Sequence, residues 1–521
     1  MQAQDIWALY EYGVDFKNRI DLYDTTAKNE RFFAGDQWAG VNAPDLPKPV
    51  VNFIKRACQQ RIAEVRANPV KVLFSPIEYP TFATSEGCLP VSDDYVSLLC
   101  ELFETDWERL KLNYVNLDGL QDACISGDYI LYSYWDALAQ TGQLARGNIK
   151  VEAIDNVDYY PGNPNERDVQ KQPCIILARR EIVSSVRAQA KANGRSNVET
   201  EFIEPDGDNL YQSGDMAKNE LEGQAGKKCV TLLCLYRDSL TGNIFAQKTT
   251  KNAVIRSEWD TRLKRYPVAM MNWEKRKNCC FGRAEITGLV PVQRYINQMY
   301  AMSMLFTMQS ACPKPLFNQG MIKAWSNAVG TAIPVNGDIN AAAKYLEPPS
   351  LPSDAYNLPE KLMDKTLEML GVTAIELGNV NPTNMSAMAL ARKASTVPIE
   401  TVRTRFYSMV EDFALIWLDM IAAYQTVPRW ATLSGTGKKA IMFDAAALHE
   451  KLWSVKIDVG EAGVFSEANT VTTLASLYKD GVINAKQYIE RLPDGYCPMR
   501  ERLLAELNSS ASGLINEKAK N

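Results

Sequence analysis

The sequence predicts an α+β fold, with antiparallel sheet in the first half and long helices in the second. Three observations carry this expectation. Between residues 130 and 260, short runs rich in β-branched and aromatic residues are separated by turn-forming residues. Beyond Pro267, apolar residues recur at helical spacing over long stretches. The chain has 521 residues, of which 46% are hydrophobic and 23% charged, an ordinary globular balance with ample length for a large core.

Taken in order, residues 3–35 read as a helix, with Ile6, Leu9, Tyr10, Val14, Phe16, Ile20, Leu22 and Tyr23 at helical spacing and Gly35 placed to stop it. A turn with Pro44, Pro47 and Pro49 follows. Asn52 is the expected N-cap of a second helix reaching Arg66, whose Lys55, Arg56, Arg61 and Arg66 read as a solvated basic face. Residues 92–125 read as a further helix ending near Gly127. ILYSYW (130–135), NIKVEAID (148–155), IILARREIV (175–183), CVTLLCLYRD (229–238), GNIFAQKTT and AVIRSE read as strands. Residues 195–228 are acidic, rich in Gly and Asn, and poorly periodic; they read as a surface insertion.

Residues 284–311 form one long predicted helix, with Pro291 near its start and Pro313 closing it. Its methionines, Met299, Met302, Met304 and Met308, read as a packed helix face. Residues 314–355 are irregular and Pro/Gly-rich, and a helix over 357–370 stops at Gly371. A Gly/Asn/Pro loop at 376–385 precedes a helix from Ser386 to Tyr424 that Pro398 must kink or split. AIMF and SVKIDVG then read as a strand pair, and the last 60 residues read as short helices.

Function classes narrow quickly. Lys and Arg total 57 against 62 Asp and Glu, a net charge of −5, which argues against gripping nucleic acid over the whole surface. One histidine, His449, leaves no material for a multi-histidine metal site, and it reads as a surface or satisfied structural residue. The 11 cysteines form no CxxC and read as small hydrophobes of a protein folded in reducing cytoplasm. The first residues do not form a signal peptide, and the stretch 413–424 is too short and too interrupted to span a bilayer. Ser434 to Lys439 imitate a phosphate loop, but Thr432 and Lys439 stand where Gly and Ser/Thr are needed, so a Gly-rich turn is expected. No catalytic residue, metal ligand or cofactor site is expected. A nuclease or other hydrolase using scattered carboxylates as metal ligands stays open as an alternative.

Several stretches, in this order, resemble the portal proteins of tailed bacteriophages: RFFAGDQW (31–38), VVNFIKRACQQRIAEVRANPVKVLFSP (50–76), DACISGDYILYSYWD (122–136), DYYPGNPN (158–165), GRAEITGLVPVQRYIN (282–297), LGNVNPTNMSAMALARKAS (377–395) and SLYKDGVINAKQYIERL (476–492). Each is weak alone; their collinearity carries the resemblance. It implies an α/β wing over 1–282, a first stem helix at 283–312, a small clip module at 313–355, and a second stem helix at 356–373. A tunnel loop at 374–386, a long kinked helix with the rest of the wing at 387–460, and an α-helical crown at 461–521 complete it. The 195–228 insertion matches no part of that plan.

The resemblance further implies a homo-oligomeric ring, usually dodecameric, at one capsid vertex of a virion assembled in the bacterial host cytoplasm. Double-stranded DNA would pass through it during packaging and ejection. Its partners would be the major capsid protein, terminase, and then adaptor, head-completion or tail proteins, with no membrane involved. The loop residues facing DNA would be Gly378, Asn379, Val380, Asn381, Pro382, Thr383, Asn384 and Met385. None is basic, which suits a bore that must pass the strand without holding it. Arg392, Lys393, Arg403 and Arg405 are candidates for phosphate contact or for intersubunit ion pairs, and Lys314 and Lys323 for contact with DNA or the motor. Another ring or adaptor protein of the same virion is the remaining alternative; it would lack the order helix, Pro-rich module, helix.

Overall fold

The computed structural model describes residues 2–68, 70–77, 93–139, 147–206, 227–311, 314–326, 328, 330–346, 353–372, 397–425, 429–432, 440–445, 448–449, 452–459, 464–492, 497, 499–500 and 503. The segment 374–386 expected to be a tunnel loop, the expected Gly-rich turn at 434–439, Arg392 and Lys393 lie outside these, as does most of the last helix expected from the sequence.

Two helices, α1 (Ala3–Arg19) and α2 (Leu22–Ala34), open the chain where the sequence predicts one. The break is at Asp21, whose φ of 53° is a left-handed conformation that an Asp tolerates better than most residues. Gly35 ends α2 as expected, at φ 99°. Helix α3 (Phe53–Val65) starts at Asn52, whose Oδ1 accepts from Lys55 N at 3.2 Å. An unforeseen strand, β1 (Val70–Pro76), follows. The helix expected over 92–125 is again two, α4 (Asp93–Arg109) and α5 (Leu112–Ser126), separated at Lys111 with φ 52°.

Next come β2 (Asp128–Asp136), β3 (Asn148–Ile154), β4 (Tyr159–Pro161) and β5 (Cys174–Ile182). Helices α6 (Val183–Ala192) and α7 (Asn197–Glu201) come before β6 (Lys228–Arg237). The insertion read at 195–228 thus begins with an ordered turn of helix capped by Ser196. Strands β7 (Ile244–Thr249), β8 (Val254–Asp260) and β9 (Val268–Asn272) complete the β-rich part. Helix α8 (Glu285–Ala311) matches its expected extent. Strand β10 (Pro315–Phe317), α9 (Ile339–Ala342) and β11 (Ala343–Tyr345) give the irregular module a small hairpin, and α10 (Ser353–Met369) starts a turn earlier than expected. Helix α11 (Val397–Tyr424) carries Pro398 in its first turn, where a missing N–H costs nothing. Strands β12 (Arg429–Thr432), β13 (Ala440–Phe443) and β14 (Trp453–Val459), then α12 (Val464–Lys479) and α13 (Ala485–Arg491), end the described fold.

These elements divide into two compact units, residues 1–62 with 113–379 and residues 63–112 with 380–521. In the first, β4-β5-β6-β7-β8 form one antiparallel sheet and β3-β2-β9 another. Helix α1 lays Ile6, Trp7, Tyr10 and Val14 on Ile176, Ala178, Val230 and Leu232 of the larger sheet. In the second unit β1 pairs with β14, Val70 opposite Val459. AIMF and SVKIDVG therefore do not pair with each other, contrary to expectation: β13 pairs with its neighbour β12 across a short connection, and β14 pairs with β1. Phe74, Phe103 and Trp417 pack as an aromatic cluster at centroid distances of 5.1–5.9 Å, joined by Phe413 through Phe103. Among the described residues helix accounts for 48% and strand for 22%, and every ladder is antiparallel, so the class is α+β as expected.

Candidate functional site

The stretches that carry the resemblance are far apart in sequence, yet within the first unit several of them bond to one another. Three amides make a relay at the foot of α8. Gln293 Nε2 donates to Asn297 Oδ1 at 2.9 Å, one turn along the helix. Asn297 Nδ2 donates to Gln37 Oε1 at 2.6 Å, and Gln37 Nε2 to the Phe32 carbonyl at 3.0 Å. Gln293 also donates to the Val51 carbonyl at 2.8 Å, and Asn52 Nδ2 donates to the Phe33 carbonyl at 3.0 Å. All three amide residues are buried. Buried amides of this kind are held only where partners are supplied, so the relay fixes where α8 leaves the turn after α2.

A second hub forms around Asp128, fully buried at the start of β2. Its carboxylate accepts from Asn272 Nδ2 and Gly282 N, each at 2.7 Å, and from Asn156 Nδ2 at 3.0 Å. Burial pushes its pKa up, and the three donors oppose that rise. Gly127 and Gly282 let two backbones meet here: a Cβ on Gly282 would lie 2.6 Å from the Gly127 carbonyl. Asn29 Nδ2 links α2 to the Ile125 carbonyl at 2.8 Å and to Thr287 Oγ1 at 2.9 Å. Arg61, expected on a solvated face, is buried instead. Its guanidinium donates to the Leu370 carbonyl at 2.8 Å and pairs with Glu285 at 3.4 Å, joining the end of α3 to the start of α8 and the close of α10.

Two other ionisable groups in this unit, one buried and one half-buried, have shifted pKa values. The Lys17 ammonium, fully buried, donates to the Val157 carbonyl at 2.7 Å and lies 3.5 Å from the Tyr160 ring centroid; burial lowers its pKa. Burial, then the charges of Asp155, Asp118 and Glu30, push the Asp122 carboxyl up to about 7.

None of this is a reactive couple. Most of the polar groups named so far hold backbone, a neighbouring amide or, as with Arg61 and Glu285, each other, which is the chemistry of a frame. His449 Nε2 lies 3.0 Å from Asp419 Oδ1 in the second unit. Among the described residues no group of three or more His, Cys, Asp or Glu could hold a metal ion. Among the described residues no helix is long and apolar enough to cross a membrane. The sequence matches no protein-family model and no curated protein.

The sequence-derived candidates are dispersed. Lys314 and Lys323 are both exposed and flank or lie within the hairpin module of β10 and β11. Arg403 is only 8% exposed; its guanidinium pairs with Glu400 and donates to the Glu64 carbonyl at 2.9 Å. Arg405, two residues on and on the opposite side of the same helix, is half-buried. Sequence reasoning missed the relay partners as a set, although Gln37, Asn52, Gln293 and Asn297 all lie inside quoted motifs. For Gln293 and Asn297 the usable signal was polar residues at helical positions that periodicity assigns to the core; Gln37 lies in a turn and offers no such signal.

Proposed function

We propose that this chain is the subunit of a ring-shaped conduit for double-stranded DNA, a portal of the tailed-bacteriophage kind. The ring sits at one capsid vertex, receives the terminase motor during packaging, and later carries the adaptor and tail proteins. One observation carries the reading. Helix α8 leaves Tyr295, Met302, Met304 and Met308 exposed at 53%, 67%, 47% and 59% in the single chain. These side chains lie on two opposite sides of one continuous helix, Tyr295 with Met302 and Met304 with Met308; apolar surface of this kind needs cover, and copies arranged by one repeated heterologous contact cover both sides while closing a ring. The order of elements supports the same reading: α8 and α10 pack together, and the segment between them carries the β10–β11 hairpin, as a stem and clip require.

Negative-stain electron microscopy of the purified chain, with native mass spectrometry for subunit number, tests the proposal. Closed rings with a central hole are expected. A chain that stays monomeric alone and also when coexpressed with its capsid proteins overturns it.

A further inference from the structure

A cleft of about 550 Å³ lies beside the amide relay, between α2, α8 and the turn at 36–41. Nothing said of the ring assigns it a role. Its walls bring three cations together: Lys28 and Arg31 one turn apart on α2, and Arg294 on α8. Arg294 stands over the Phe32 ring at 5.3 Å. Among the described residues, neither Lys28 nor Arg294 has an acidic partner within ion-pair distance. Asp24 and Asp36 line the same cleft and offset part of the charge.

The cleft is lined deeper in by Gln37 and Asn297, both nine-tenths buried or more. Each amide nitrogen uses one hydrogen in the relay, and an amide nitrogen carries two. A second donor on each is therefore left over in the lining. Trp38 completes the wall, and its indole N–H is already given to the Pro49 carbonyl at 2.8 Å, so the ring itself is what it offers a ligand.

We infer that this cleft binds a nucleoside phosphate. The phosphoryl group meets the Lys28 ammonium and the guanidinium forks of Arg31 and Arg294, which suit phosphate oxygens, with the amide donors behind them. The base or sugar lies against Trp38. The volume is in the range of small-molecule sites, and a recess between two helices admits a free nucleotide but not the cylinder of a duplex. The inference stands apart from the ring proposal, because it uses only groups within one chain.

Equilibrium dialysis of the full chain with radiolabelled ATP tests it. Saturable binding is expected, displaced by inorganic phosphate and weakened at least tenfold in Arg294→Gln and in Lys28→Gln. Both side chains are exposed, so both variants keep the wild-type melting temperature. Lys361→Gln, on the surface of α10 outside the cleft, binds as wild type. The assignment is overturned by no saturable binding at millimolar ATP, or by equal affinity in the Arg294→Gln and Lys28→Gln variants. Citrate displacing as well as phosphate would make the cleft a carboxylate receptor. Displacement by a short duplex at equal phosphate concentration would make the backbone of DNA the source of the phosphoryl group. Either result also sinks the nucleotide assignment.

Discussion

Asn297 on α8 donates to Gln37 in the turn after α2 at 2.6 Å, across 260 positions of sequence. Its own Oδ1 is already taken by Gln293, so the bond to Gln37 extends a chain of three amides. Replacing Gln37 by Ala strands a buried donor on Asn297, at an expected cost of about 1–3 kcal/mol. Urea unfolding of Gln37→Ala, Asn297→Ala and the double variant checks this. The double variant should be less destabilised than the sum of the singles, because residues in one network do not add. Strict additivity would mean that the relay is not a unit.

Arg403 is a candidate for phosphate contact whose guanidinium the fold already uses, on Glu400 and on the Glu64 carbonyl. Arg403→Gln should lower stability by roughly 1–3 kcal/mol. It should leave the salt dependence of DNA binding unchanged, whereas loss of a phosphate contact would flatten the log–log slope by about 0.9. Paired measurements of melting and of DNA affinity between low and moderate salt separate the two outcomes.

The Asp122 carboxyl titrates near 7 in the folded chain, raised by burial and by three neighbouring acids from its ordinary 3.8. A raised folded value means stability that is complete below pH 4 and lost as pH climbs through 7. Asp122→Asn removes that loss. Its advantage over the parent should be absent at pH 4 and reach about 1–3 kcal/mol by pH 8. Melting curves across that range would show it; an advantage that does not grow with pH would contradict the assignment.

Met302 and Met308 are more than half exposed on α8, so lysine at both should change monomer stability by no more than about 0.5 kcal/mol. If neighbouring copies cover these side chains, the same double change should abolish rings on electron-microscope grids. Intact rings would place the subunit contact elsewhere.

How much of this was legible follows from what each signal depends on. Helix α8 and the cap at Asn52 were legible because apolar period and capping chemistry are local. Breaks at Asp21 and Lys111 were not, since Lys rarely adopts a left-handed conformation and an Asp, though tolerant of it, far more often sits elsewhere. Arg61 was misread as solvated because its acceptors, Leu370 and Glu285, come from remote segments. The pairing of β1 with β14 was invisible for the same reason: nothing in VKVLFSP names a partner more than 370 residues away. The relay residues were quoted as motif letters, but no spacing rule says that Gln37 and Asn297 meet.

That long reach has a kinetic side. Helix α2 emerges from the ribosome with its partners Thr287 and Asn297 still untranslated. At synthesis rates of about 5–20 residues per second, the interval is roughly 13–50 s. Through it, Asn29 and Gln37 must be solvated by water or held by a chaperone. The first unit should therefore lock only after α8 has been made, and a nascent chain halted before residue 297 should remain protease-sensitive at its N-terminal helices.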